Sequence, residues 1–342
     1  MNLEKIYEKR KHFDRKENVA GICMAIIPVL GFLIFGLVPM VLGIGMSFFK
    51  FDDGEFFFRI YPASAELEKV GKYKGNWSST FVGFDNYVKL FVHSSSDVNS
   101  GLFLETLVTT VVQYIATPVC LILSLIIAFF LSKKIKCKNL LRTIYLLPFI
   151  CSSVAIALIW GEFFGFSNGG TLNEFAKMFW NKKPVNWTNK HFYLVVFIVN
   201  IWGGTGFQII LFTAALTNVN NSYYEAAKVD GANATQIFFK ITLPAISPTT
   251  FYLFITGTIG ALQAYAVPDM IAKIGAPAPT TLFGVKVTNP HTTVIAYINN
   301  LLNGGGATDP GLACSAGVVL ALIIGVITIF NFLASKYWVS YD

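Results

Sequence analysis

Charge is scarce in this sequence of 342 residues: Asp, Glu, Lys and Arg together make up 13%, about half of the roughly 25% usual in soluble domains. A soluble globule of this length would lack the polar surface to cover itself, and a chain that is 54% hydrophobic is not a disordered one. Paired cysteines are missing as well. Cys23, Cys120, Cys151 and Cys314 lie in apolar runs and Cys137 in a basic stretch, with no C-x-x-C. That pattern indicates neither a disulfide framework nor a zinc site, and the four read as small apolar packing residues. His12, His93, His191 and His291 are scattered without metal-ligand spacing, and no pair of carboxylates is placed for hydrolysis. There is no G-x-x-x-x-G-K-[ST] phosphate loop, since Gly71-Lys72 lacks both the upstream glycine and the following Ser or Thr. Gly203-Gly204-Thr205-Gly206 lies inside an apolar run, where close helix packing or local unwinding explains it better than a nucleotide does. No catalytic, cofactor or metal site of its own is therefore expected. The formal charge of +7 is spread along the chain, with no basic helix interleaved with aromatics, so it bears on orientation and not on nucleic acid.

What is abundant is apolar bulk. The 32 Phe and 28 Gly suit an all-α polytopic membrane protein, because lipid accepts aromatic side chains and small residues let helices approach one another. About 20 mostly apolar residues cross a bilayer as helix, and six such runs are free of Lys and Arg: 19–49, 107–132, 143–164, 192–216, 248–272 and 312–335. Their only acids, Glu162 and Asp269, sit near run ends, where an interfacial, solvated carboxylate is expected in preference to an ion site. Lys and Arg are about twice as dense in 1–18, 133–142, 217–247 and 336–342 as in the opposite loops 50–106, 165–191 and 273–311, and the richer side faces the cytoplasm. Both termini are thus expected inside, with 1–18 a basic cytoplasmic segment and 19–342 one six-span domain. The first run exceeds a signal-peptide core and has no obvious small-residue cleavage site, so it is expected to be retained. Outside, 50–106 is long enough for a small lid, and 273–311 is broken by Pro277, Pro279, Pro290 and Gly304 to Gly306. Within the latter, 292–302 is apolar at helical spacing, fit to lie on the membrane surface or to cap a cavity.

One inner segment carries signals that can be read residue by residue. Ser222 and Glu225 form an S-x-x-E capping box, which predicts a helix from Tyr223, and Gly231 supplies a left-handed stop. Asn233 followed by Gln236 repeats the N-cap signal and predicts a second short helix through Ile237, Phe238 and Ile241, ended by Pro244. Ser247 and Pro248 read as the N-cap and first-turn proline of the fifth run. The product is a two-helix hairpin over 222–248, with Tyr223, Tyr224, Ala227, Ile237 and Phe238 giving it more apolar surface than so small a unit buries alone. Docking on another protein and packing on its own membrane bundle both account for that surface.

The same segment, through Glu225-Ala226-Ala227, Asp230-Gly231-Ala232, Phe238, Ile241, Leu243-Pro244 and Pro248, fits EAAxxDGAxxxxxFxxIxLPxxxP without a gap. It resembles the EAA loop of binding-protein-dependent ABC importer permeases. Further matches follow in order: Phe81-Val82-Gly83-Phe84-Asp85-Asn86-Tyr87, Arg142-Thr143 with Leu147-Pro148, Ala157-Leu158-Ile159-Trp160, and Trp202 with Gly206-Phe207. The combination is similar to the carbohydrate-uptake branch, the six-span permeases of maltose-like and glycerol-3-phosphate-like systems.

The resemblance implies a multi-pass subunit of a prokaryotic cell membrane, not itself an enzyme, that passes a sugar or related carbohydrate by alternating access. Implied partners are a second homologous permease subunit, an ABC ATPase dimer that carries the Mg-ATP, an extracytoplasmic solute-binding protein and membrane lipid. Coupling to the ATPase would fall to Tyr223, Tyr224, Glu225, Ala226, Ala227, Asp230, Gly231, Ala232, Phe238, Leu243 and Pro244. Two departures lie where a binding protein would dock. Ile274-Gly275-Ala276-Pro277-Ala278-Pro279 replaces the family's T-G-G-G-P-like turn, and the first outer loop is extended near 55–80. The alternative is a secondary transporter, which wants intramembrane ionisable groups and often an internal repeat, and neither is evident. For the solute path, sugar recognition joins aromatic faces to hydroxyl-binding amides. Spans four to six offer Asn200, Trp202, Gln208, Tyr252, Gln263, Tyr265 and Asn331, each equally fit to be an interhelical hydrogen-bond partner.

The charge distribution gives a topological prediction. With native cysteines replaced, Ser64→Cys should react with a membrane-impermeant thiol reagent in intact cells and Thr235→Cys should not. Reaction at 235 alone would invert the orientation.

Overall fold

The computed structural model describes residues 21–51, 79–92, 100–133, 138–165, 170–180, 183–303 and 309–340. The basic segment 1–18 and most of the extension near 55–80, Ser64 included, lie outside them. Most of the described chain is helix. Gly21–Met46, Phe103–Ser132, Phe192–Asn218 and Pro310–Ser335 are long and apolar enough to cross a membrane. Two bent pairs, Leu140–Ile150 with Ser153–Phe163 and Ala234–Ala245 with Ser247–Leu262, bring the number to six if each pair counts as one span.

Runs 143–164 and 248–272 are therefore not continuous helices. The first is broken between Ile150 and Ser153, where its halves meet at 99°. Pro148 inside the first half removes a backbone donor, and Ser152 is extended at ψ 136°. The second stops as helix at Leu262, and a separate helix, Ala266–Gly275, follows Tyr265, whose φ of −140° lies outside the helical range. Ile271 and Ala272 of that helix pack on Ile156, Ala157, Val195 and Val199, so it belongs to the bundle as a side element. The sequence stays apolar across both breaks, which is why hydropathy joins what the backbone divides.

Burial organises the helices around the fourth span. Leu121, Ala128 and Leu131 of the second span pack with Ile209, Phe212 and Leu216 of the fourth and Leu253 of the fifth. Gly206 lets the fourth span lie against the backbone carbonyl of Tyr145, which a Cβ at that position would overlap. The expectation for 292–302 is met as helix Val294–Asn303. Its Val294, Tyr297 and Leu301 are packed with Phe103, Leu312 and Ala316, so its apolar face meets the bundle.

Gly21–Met46 is the exception, since none of its apolar window is buried. It is joined to the rest at its C-terminal end by a clasp of backbone carbonyls. Wholly buried Asn86 donates from Nδ2 to the carbonyls of Ser47 and Phe49, each at 2.9 Å. The hydroxyls of Ser47 and Tyr87 lie 2.6 Å apart, and Phe49–Phe51 pairs antiparallel with Ser79–Phe81. Gly311, in the first turn of the last span, sits so close to the Phe49 carbonyl that a Cβ there would overlap it.

Asn86→Leu should strand both carbonyls, at about 1–3 kcal/mol for each unmet buried group. The expected result is a lower Tm in detergent and faster proteolysis after Met46, and an unchanged Tm would show that the clasp contributes nothing.

Candidate functional site

Two features stand out, the hairpin and a cavity inside the bundle. The hairpin's first arm is Asn221–Val229, and its N-cap is Asn220, whose side chain accepts from the Ser222 N–H at 3.0 Å. The expected Ser222–Glu225 capping box does not form, because an asparagine two residues earlier captures the helix start and leaves Glu225 exposed within the helix. The corner agrees with expectation. Gly231 has φ +75°, its N–H donates to Lys228, and the Ala232 N–H reaches back to the Ala227 carbonyl at 2.9 Å, which is the paired bonding of a Schellman stop.

The second arm opens on the expected capping box, with Asn233 and Gln236 exchanging bonds at 2.9 Å both ways. Pro244 does not end this arm, which continues to Ala245. Phe238–Thr242 forms a wide π turn in which the Leu243 N–H bonds the Phe238 carbonyl, relieving the clash a proline makes in a regular helix. Ser247 is not an N-cap either, since its hydroxyl donates to the Pro244 carbonyl and accepts from the Ser340 N–H, while Pro248 holds the expected first-turn place.

One face of the hairpin is tied to the membrane bundle. The Phe238 ring packs edge-on against Phe129 of the second span at 5.2 Å, and Ile246 is buried in one apolar cluster with Leu121, Ile209 and Phe212. The Tyr224 and Thr242 hydroxyls, 3.3 Å apart, link the two arms to each other, and Ala227 is buried. Leu243 and Pro244 are half-buried, whereas Glu225, Ala226 and Asp230 are exposed. The free apolar surface consists of Tyr223 at 59% exposure, Val229 at 88% and Phe239 at 59%. Sequence reading counted Tyr223 and missed the other two, although both sit beside motif positions.

The cavity, of ≈ 380 Å³, lies between the second, fourth and fifth spans and the broken third. Asn200 and Gln208 line it, as do Gly203 and Gly204. Trp202, Tyr252, Gln263, Tyr265 and Asn331 are not in its wall. The Trp202 ring stands edge-on to Trp160 at 5.5 Å, Tyr252 and Gln263 are exposed, the Tyr265 hydroxyl accepts from Asn299 Nδ2 at 3.1 Å, and Asn331 is half-buried on the last span. A residue outside the sequence-based set, Gln113 of the second span, does line the cavity. The signal was an amide in an apolar run, as for Gln208, in a span that was not searched.

Of the acids weighed as ion sites, Asp269 is paired with Lys273 at 2.9 Å, and that pair holds the Lys273 ammonium above its usual pKa. Next to it His291 is partly buried, with Nδ1 lacking a hydrogen-bond partner. Burial lowers its pKa from the ordinary 6.5, aided by Lys273 and opposed by Asp269. Among the described residues no group of three His, Cys, Asp or Glu could hold a metal ion.

The family described as binding-protein-dependent transport system inner membrane component matches residues 120–337, a stretch that takes in the whole hairpin. The chain belongs to this family. It is thus a transport permease subunit and a multi-pass membrane protein. This permease is similar to the probable ABC transporter permease protein YesP of Bacillus subtilis (strain 168), at 29% identity covering 98% of this chain and 96% of that one. It is also similar to the lactose transport system permease protein LacF of Rhizobium radiobacter, at 28% identity covering 82% and 89%. The permease shares its fold with a chain of a bacterial alginate ABC transporter solved in complex with an alginate pentasaccharide-bound periplasmic protein. The TM-score is 0.67 at 23% identity, over 95% of this chain and 96% of that one.

His291 gives the permease a pH dependence with a definite sign. Its folded-state pKa lies below the unfolded value, so its contribution is complete above pH 6.5 and is lost as pH falls through the lowered pKa. The Tm should fall as pH drops below 6.5, and His291→Gln should flatten that fall. An identical profile in the variant would remove His291 from the account.

Proposed function

We propose that this permease is the membrane-spanning subunit of an ATP-driven importer of a sugar or related carbohydrate. It works by alternating access, coupled through the hairpin 222–248 to a separate ABC ATPase dimer that binds the Mg-ATP. The observation that carries this reading is the hairpin's two-sidedness: Phe238 and Ile246 tie it to the bundle, while Tyr223, Val229 and Phe239 stand exposed. A rigid piece held at both faces transmits displacement, so closure of the ATPases would move the hairpin and rock the spans between inward-facing and outward-facing states.

The names of its relatives support the carbohydrate assignment, since LacF belongs to a lactose system and the matching structure to an alginate transporter. That structure's bound periplasmic protein supports an extracytoplasmic binding protein as a partner here. A second homologous permease subunit completes the pore, and lipid covers the outward faces of the spans. The distribution of Lys and Arg supports a prokaryotic cell membrane topology with both termini and the hairpin in the cytoplasm. In this reading Glu225, Ala226, Asp230 and Ala232 line the ATPase contact beside Tyr223, Gly231 sets the angle between the arms, and Leu243 and Pro244 carry the motion into the fifth span. The solute path runs through the cavity bordered by Asn200 and Gln208.

Gly231 provides the test, because a Cβ there would meet nothing within 4 Å and only the positive φ resists substitution. Gly231→Val should cost roughly 1 kcal/mol or more and misaim the first arm, whereas Gly231→Asn tolerates the conformation better. The Val variant should insert in the membrane yet lose uptake, with weaker co-purification of the ATPase or ATP hydrolysis no longer stimulated by loaded binding protein. The Asn variant should retain more of each. Normal association, stimulation and uptake in Gly231→Val would reduce the hairpin to a packing element.

A further inference from the structure

At the end away from the hairpin, the third and fourth spans are joined through the helix Thr171–Trp180. Its start is pinned to the bundle. Gly170, at φ +34°, lies so near the carbonyl of Gly165, just beyond the third span, that a Cβ there would overlap it. Buried Asn173 holds the first turn with its whole amide. Its Nδ2 donates to the carbonyls of Gly165 at 3.3 Å and Val185 at 2.9 Å, and its Oδ1 accepts from the Val185 N–H at 3.1 Å and from Trp187 Nε1 at 3.2 Å. Trp187 leads into the fourth span, and its ring lies 6.5 Å from that of Phe164 at the end of the third. A helix tied in this way stays at the level where these spans end.

Successive residues of an α-helix turn by about 100°, which divides this one into three sectors. Leu172, Asn173 and Ala176 lie on the bundle side, where Leu172 packs on the cluster of Ile156, Val195 and Val199. Glu174 and Lys177 take the next sector, and both are exposed. The third sector adjoins the bundle side and holds Phe175 at 50% exposure, Met178 at 78% and Phe179 at 64%. The rings of Phe175 and Phe179 stack nearly parallel, with centroids 6.2 Å apart. An apolar sector of this kind, rimmed by charge on one edge and fastened to protein on the other, marks a surface that meets something other than water.

We infer that Thr171–Trp180 is an interfacial helix that lies on the bilayer, with Phe175, Met178 and Phe179 sunk among the lipids and Glu174 and Lys177 turned to water. The anchoring decides between lipid and protein as the occupant. Lipid begins where the spans end, and the hydrogen bonds of Gly165 and Asn173 hold the helix at that level. A soluble partner that comes and goes would return three large apolar side chains to water at each departure, whereas lipid covers them throughout. Bundle, lipid and water then each take one sector, which is the division an amphipathic helix adopts in the plane of a membrane. The helix thereby ties the joined ends of the third and fourth spans to the bilayer surface. The inference depends neither on the solute nor on the coupling to an ATPase.

The test uses the full-length permease, assembled with its partner subunits in vesicles of phosphatidylcholine and phosphatidylglycerol, with the native cysteines replaced by Ala. Phe175→Cys, Met178→Cys and Phe179→Cys, with Glu174→Cys and Lys177→Cys for comparison, each receive a nitroxide. Power saturation then compares collisions with oxygen, which concentrates in lipid, and with a neutral nickel chelate, which stays in water. The oxygen-to-nickel ratio at 175, 178 and 179 should exceed that at 174 and 177 several-fold, and addition of loaded binding protein should leave it unchanged. Nickel access at 178 equal to that at 177 would show the face bare in water. Loss of both collision partners without binding protein would show that another subunit covers it, and loss of oxygen access only on adding binding protein would make it a docking site. Each of these outcomes overturns the inference. Met178→Trp gives a check free of the label, since brominated phosphatidylcholine should quench the emission it adds, and unquenched emission would overturn the inference equally.

Discussion

The constraint on which this structure depends is that a peptide group in lipid must find its hydrogen bonds inside the protein. So little of the sequence is charged that long stretches have no other environment available, and helix is the local solution that satisfies every N–H and C=O. The departures from helix are therefore informative. The break between Ile150 and Ser153 and the one after Leu262 both border the cavity, through Cys151 and Ser153 on one side and Ala264 on the other. Irregular backbone at that depth is tolerated where it faces protein or an aqueous space. The helix ends also free the wall from the geometry of a continuous rod.

Small residues have two effects in the same region. Gly206 admits the backbone of Tyr145, and a Cβ on Gly257 would press on the Thr117 methyl, so the spans approach more closely than larger side chains would allow. Gly203, about one turn before Gly206, borders the void, where a Cβ would meet nothing, while a Cβ on Gly204 would touch Cys120 Sγ at 3.1 Å. Close packing and open space both come from this one glycine-rich run, which the sequence reads as helix packing in preference to a nucleotide loop. The polar side chains that line that space, amides such as Asn200 and hydroxyls such as Thr117 and Ser153, carry no charge, which follows from the composition of the spans as a whole.

What could be read in the sequence was what is decided within a few residues or by composition. The spans, the Gly231 corner and the Asn233–Gln236 capping box are of that kind, since each is fixed by local hydrogen bonding or by the preference of a run for lipid. The Ser222 cap failed because Asn220 competes for the same turn, and two adjacent candidates cannot be ranked without the tertiary frame. Pro244 was read as a stop because a regular helix cannot hold it, but a π turn can. The breaks in the third and fifth runs were invisible for a different reason, as hydropathy records what surrounds a side chain and not the path of its backbone. The resemblance located the hairpin but not its free surface, since which of Phe238 and Phe239 faces outward depends on Phe129, more than a hundred positions earlier.

The Gly21–Met46 helix places the fold in time as well as in space. A helix that leaves its apolar window exposed, and meets the last span only along Val38–Met46 among the contacts described, needs little of the rest of the chain in order to form. Its free energy comes from the bilayer, which is present before the second span has been made. During synthesis it can settle as an independent passenger, and the carbonyls of Ser47 and Phe49 stay open until Asn86 emerges to close on them. The last joint of that clasp waits longer still, for Gly311 follows more than two hundred positions after Asn86. This helix precedes the other described spans and is fastened only once the last of them has arrived.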